Sequence, residues 1–118
     1  MSTLTVTNIK ATGETASRAV SGVAAAWVNF NGSGTVAIRD SQNVSGLVDN
    51  STANYDVNFS NNLNNANYGS TSASRNRATG SSQSGNAVSS KRIEMYETVT
   101  GAASDVDNVN LAIHGDLA

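Results

Sequence analysis

Residues 25–45, AAWVNFNGSGTVAIRDSQNVS, alternate apolar and polar side chains, break at Asn31-Gly32-Ser33-Gly34, and then alternate again. An extended chain turns successive side chains to opposite faces, so a period of two suits half-buried strands and not a helix. Asn and Gly tolerate positive φ, which makes Asn31-Gly32 a hairpin turn signal. Ala26, Val28 and Phe30 then share one face, with Trp27 and Asn29 on the other. After the turn, Val36 and Ile38 face together.

The same period recurs further on. Tyr55, Val57 and Phe59 alternate with Asp56 and Asn58, and Ile93 and Met95 lie opposite Arg92, Glu94 and Tyr96. Val109, Leu111 and Ile113 alternate against Asn108, Asn110, Ala112 and His114. Clusters of Asn, Gly and Ser separate these runs, and no window carries a helical period. The pattern predicts an all-β chain, an antiparallel and jelly-roll-like β-sandwich. Residues 3–9 also alternate, which suits one more strand, whereas residues 10–24 are small and polar and read as a flexible connection. The chain divides accordingly into an N-terminal segment, 1–24, and a sandwich domain, 25–118.

Leu, Ile, Val and Phe number 23 of the 118 residues, a thin supply for a core and close to the level at which chains stay disordered. The high net charge that accompanies disorder is missing, since the formal charge is −2. A chain of this kind is expected to complete its core against copies of itself. The candidates for that interface are Trp27 and the strand carrying Val109, Leu111 and Ile113. A lone Trp in a sheet is more often buried in a core or interface, with stacking on a sugar ring as the alternative for Trp27.

There is no cysteine, hence no disulfide and no thiolate metal site. The N-terminus has neither a basic start nor an apolar run, and no stretch reaches the roughly 20 apolar residues of a membrane helix. These features lead us to expect a protein made in the cytoplasm, without membrane insertion. Its four Asn-x-Ser/Thr sequons then follow from richness in Asn and Ser.

Between Asp56 and Glu94 there is no acid, yet Arg75, Arg77, Lys91 and Arg92 fall there, four of the seven basic residues. This window, 61–92, reads as loop or exposed strand and as a locally positive surface. It lacks the interleaved aromatics of a single-strand binder, and the whole chain is acidic (pI about 5.1), which argues against nucleic acid. The expected contact surface for an acidic or phosphorylated glycan is therefore Arg75, Arg77, Lys91 and Arg92 with Tyr68.

Other chemistry is weakly encoded. Gly32-Ser33-Gly34-Thr35-Val36-Ala37 fits a dinucleotide pattern but joins two strands instead of opening a helix, so it reads as a turn and no cofactor is expected. Asp105-Val106-Asp107-Asn108 places Val109 where a calcium loop needs a third ligand. His114, the single histidine, reads as a polar-face strand residue, although a trimer would bring three copies together near its axis, enough for a metal. Nine acids without a convincing pair argue against glycoside hydrolysis, and the chain is not expected to be an enzyme.

The segment AWVNFNGSGTVAIRDSQNVSGLVDNSTANYDVNFSNNLNNANY closely resembles the β-rich domain of bacteriophage tail-fibre proteins, and NVNLAIHGDLA resembles the closing strand of that family. The opening STLTVTNIKATGETAS is similar to the short segments by which small phage fibres attach to a virion. The resemblance covers most of the chain except residues 70–92. It implies a homotrimeric virion protein of the tail, docked to other tail or baseplate proteins through its N-terminus and touching a host surface glycan. A capsid decoration protein of similar fold is the alternative.

Overall fold

The computed structural model describes residues 1–10, 12–20, 23–75, 78–80 and 85–118. Two short strands, β1 (Asn8–Ile9) and β2 (Arg18–Ala19), pair with each other in the N-terminal segment. Eight more follow: β3 (Ala24–Asn31), β4 (Ala37–Gln42), β5 (Val44–Ser51), β6 (Asn54–Phe59), β7 (Gly69–Ser74), β8 (Ala78–Gly80), β9 (Ser90–Tyr96) and β10 (Val109–His114). They form two four-stranded antiparallel sheets, β4-β3-β10-β7 and β5-β6-β9-β8. The described residues contain no α-helix.

The alternation in the sequence explains the layers. Val28 and Phe30 of β3, Tyr55, Val57 and Phe59 of β6, Ile93 and Met95 of β9, and Val109, Leu111 and Ile113 of β10 all turn inward to one buried cluster. These are the central strands of the two sheets. Leu63, Tyr68 and Val106 close the cluster from the connections. Phe30 and Tyr55 meet edge to face across the sandwich, centroids 5.3 Å apart at 68°, the arrangement that aromatic quadrupoles favour. The edge strands contribute little of this core, which is why so few large apolar residues suffice.

The sheets are built from three hairpins, β3–β4, β5–β6 and β8–β9, with the remaining connections crossing between sheets. Two sheets of four strands share the outline of a jelly roll, though these hairpins keep sequential neighbours in one sheet. Gly34 supplies the positive φ (62°) in the turn after β3. Gly32 meets a different demand: a Cβ there would lie 2.9 Å from the Val106 carbonyl oxygen and 3.0 Å from the Tyr55 hydroxyl. A bulge at Asn29/Phe30 leaves Arg39 out of the ladder. Its guanidinium donates instead to the carbonyls of Phe30 (3.3 Å) and Asp107. Between β4 and β5 a single residue, Asn43, with φ 55°, carries the chain from one sheet to the other.

Two expectations need correction. The N-terminal alternation yields a strand only at Asn8–Ile9, because Leu4 and Val6 have no facing strand and stay exposed. Val109, Leu111 and Ile113 do not offer a surface to another copy. They are 0%, 3% and 0% exposed in a single chain, paired between β3 and β7 and packed on the opposite sheet. The core is thin but closed, so its composition alone no longer calls for a trimer.

Candidate functional site

The acid-free window does not remain a positive patch once folded, because acids arrive from elsewhere in the chain. Arg92 stands opposite Asp56 in the β6–β9 register and makes a two-pronged contact with it, Nε to Oδ1 at 2.8 Å and Nη2 to Oδ2 at 3.0 Å. This guanidinium holds the Asp56 carboxyl below the usual carboxylate range. Arg75, just past β7, reaches Asp107 at 3.5 Å. Lys91 is in phase with Ile93 and Met95, faces the core, is 1% exposed, and donates through Nζ to Asn86 Oδ1. Burial pushes its ammonium pKa down.

Tyr68 is buried as well, edge to face with Phe59, and its hydroxyl donates toward the carbonyls of Ser90 (2.9 Å) and Ala87 (3.2 Å). Arg77 lies outside the described residues. Of the expected contact residues, Lys91 and Tyr68 are therefore interior groups. Arg75 follows an edge strand of the first sheet and Arg92 lies on a central strand of the second. They do not form one cluster.

A different surface emerges on the outer face of the first sheet. Trp27 points away from the core, half-buried, and its indole Nε1 donates to Gln42 Oε1 at 3.0 Å. The register places Gln42, Trp27, Ala112 and Thr71 in one row across the four strands. Two residues further along, Asp40, Asn29, Asn110 and Ala73 form a second row. Strand geometry separates such rows by about 6.7 Å. Asn29 Nδ2 donates to both Asn110 Oδ1 and Asn108 Oδ1, each at 2.7 Å, and Asn110 Nδ2 reaches Asn108 Oδ1 at 3.4 Å. The amides are thus fixed by one another and not left to rotate freely.

Alternation in the sequence puts Trp27 with Asn29, and Asn108 with Asn110, on common faces. That β3 and β10 lie side by side is a non-local fact, so the combined face cannot be read from either run alone.

The other sites weighed from the sequence have structural duties. Asp105 Oδ1 accepts the Ala53 N–H (2.6 Å) and the Tyr55 hydroxyl (2.8 Å), and that hydroxyl also contacts the Gly32 carbonyl. Burial first, and then the Asp105 carboxylate, push the Tyr55 phenol well above its usual range. His114 is exposed at the end of β10. Among the described residues no three His, Cys, Asp or Glu side chains gather in a way that could hold a metal ion. No helix among the described residues is long and apolar enough to cross a membrane.

The N-terminal segment leaves Leu4, Val6, Ile9 and Val20 exposed, and Val23 is exposed just before β3. Val20 and Val23 line a shallow groove of about 230 Å³ together with Ala24, Ala25, Gly115, Asp116 and Leu117. Comparison of the chain with family models, with curated proteins and with solved structures finds no match.

Proposed function

We propose that the chain is a non-catalytic virion structural protein, a short phage tail fibre whose sandwich domain contacts the host cell surface while its N-terminal segment docks on the particle. The observation that carries this reading is the uneven placement of apolar side chains. The sandwich closes its own core and leaves Ile38, Val48, Val88, Tyr96, Val99 and Leu117 exposed over its length, whereas the 23 residues before β3 alone expose as many, Met1, Leu4, Val6, Ile9, Val20 and Val23. Apolar groups gathered outside a closed core are what an attachment segment needs, since they gain burial only against a partner. The resemblance of residues 25–68 to phage tail-fibre domains supports the same assignment. A homotrimer fits it, with the N-terminal segment and not the β10 strand as the apolar surface available to copies or to a neighbouring virion protein.

The test is deletion of residues 1–24 followed by assembly of particles in cells supplying only the shortened protein. The expected result is a folded, soluble sandwich absent from purified virions. Incorporation at parental levels overturns the docking assignment. Electron microscopy of particles carrying a labelled chain then places it at the tail, and label spread over the capsid shell would replace the fibre reading with decoration.

A further inference from the structure

We infer that the outer face of the first sheet is a binding site for a neutral sugar, with Trp27 as the stacking platform and the Asn29–Asn108–Asn110 amides as its polar edge. This deepens the adhesion reading and rests on it for biological meaning, but the geometry stands separately.

A saccharide ring presents C–H groups on its faces and hydroxyls at its rim. It is recognised by an aromatic plane beside a row of groups that both donate and accept hydrogen bonds. Trp27 meets the first requirement. Its ring is anchored through Nε1 to Gln42 and is partly exposed on the outer face, and across the register on β10 stands only the methyl of Ala112. The second requirement is met one row away. Asn29, Asn108 and Asn110 hold one another at 2.7–3.4 Å, so little rotamer freedom is lost when a ligand arrives. Among the described residues, Asn29 Oδ1 and Asn108 Nδ2 have no protein hydrogen-bond partner. An acceptor and a donor are thereby left for hydroxyls.

Charge selects the ligand class. The two rows hold one acid, Asp40, and no Lys or Arg. Arg39, the nearest cation along the chain, is committed to the carbonyls of Phe30 and Asp107. Arg75 continues the outward phase of β7 and its N–H meets the Asn108 carbonyl at 3.2 Å, but its guanidinium is paired with Asp107 at 3.5 Å. An acidic sugar meets the Asp40 carboxylate with both nearby guanidiniums already engaged, whereas a neutral hexose or N-acetylhexosamine carries no charge for Asp40 to repel.

The single tryptophan makes the test direct, because fluorescence excited to the red of tyrosine absorption reports only Trp27. Titration with maltotriose, cellotriose and chitotriose as neutral probes, and trigalacturonate as the acidic one, is expected to shift the emission with at least one neutral probe at millimolar concentration. Ring stacking tolerates changes in hydroxyl configuration, so silence from all three neutral probes overturns the inference, as does a stronger response to trigalacturonate.

For the responding sugar, calorimetry on Trp27→Ala and Asn110→Ala is expected to give about a tenfold loss or more for the first and a smaller loss for the second. Trp27→Phe, which keeps an aromatic plane, restores part of the affinity and guards against misfolding of the alanine variant. Unchanged affinity in Trp27→Ala overturns the site. Adsorption of labelled protein to host cells separates the two readings. If parent and Trp27→Ala adsorb equally and the parent does not titrate with sugar, the sugar site is wrong and adhesion stands. If neither adsorbs while Trp27 still titrates with sugar, adhesion is wrong and the site stands.

Discussion

Asn43 and Asn61 clasp each other through three hydrogen bonds: the Asn61 N–H to Asn43 Oδ1 at 2.8 Å, Asn61 Nδ2 to the same oxygen at 3.1 Å, and Asn43 Nδ2 to the Asn61 carbonyl at 3.1 Å. Asn43 Nδ2 also reaches the Ala25 carbonyl at 3.2 Å. One side chain therefore ties together the start of β3, the β4–β5 crossing and the chain leaving β6. Its backbone sits at φ 55°, a region Asn and Gly adopt at lower cost than other residues.

The two properties of Asn43 separate by substitution. Asn43→Gly keeps the backbone and loses the clasp, and is expected to cost about 1–2 kcal/mol. Asn43→Ala loses both and is expected to cost about 1 kcal/mol more. Urea denaturation of the two variants checks the order, and equal midpoints would mean that the backbone conformation carries no strain for alanine.

The strands that alternate large apolar with polar residues, β3, β6, β9 and β10, were legible because each carries its own period. The β7 strand, GSTSAS, was not. It has no large side chain, and it is a strand because β10 supplies the partner, residue by residue from His114↔Gly69 to Val109↔Ser74. Lys91 illustrates a second limit. Its charge suggested a surface, whereas its phase with Ile93 and Met95 put it inside, and here phase decides the outcome. Arg75 and Arg92 looked unpaired because their partners, Asp107 and Asp56, are 32 and 36 positions away. The Trp27 face was half legible: the outward residues follow from alternation, but their neighbours follow only from sheet order.

Tyr55 and Asp105 should act as a coupled pair. Tyr55→Phe leaves the Gly32 carbonyl and Asp105 without their buried donor, and Asp105→Ala frees both that hydroxyl and the Ala53 N–H. Each single change is expected to cost about 1–3 kcal/mol. The double variant is expected to cost less than the sum of the two, with an interaction energy of about 1 kcal/mol. Strict additivity in a denaturation cycle would show that the hydroxyl draws nothing from Asp105.

The Asp56–Arg92 pair gives an acid-side signature. Asp56 binds its proton less tightly folded than unfolded, first because of the Arg92 hydrogen bonds. Its stabilisation is complete above the ordinary carboxylate value of about 4 and is withdrawn as the pH falls below it. Part-exposed pairs are screened, so Asp56→Asn is expected to lower the melting temperature by only a few degrees at neutral pH. The difference from the parent should close toward the acid end of the range. A constant offset across a melting series would assign the loss to packing and not to charge.

Lys91 carries the opposite sign. Its ammonium is buried, donating to Asn86 Oδ1, and burial makes the folded chain hold that proton less tightly than the unfolded chain. The cost is present below the depressed folded value and is relieved as the pH rises from there toward the ordinary lysine value of about 10.4. Lys91→Met keeps the stem and removes the charge, and is expected to lie within about 1 kcal/mol of the parent at neutral pH. Lys91→Ala also removes the buried stem, at a cost of about 2 kcal/mol or more. Plotted against pH, the stability of the parent relative to Lys91→Met should climb on the alkaline side, because only the parent has a buried charge to discharge there. Denaturant titrations between neutrality and pH ~10 read this difference directly. Parallel curves for parent and methionine variant would mean that the ammonium is as well stabilised inside the sandwich as in water.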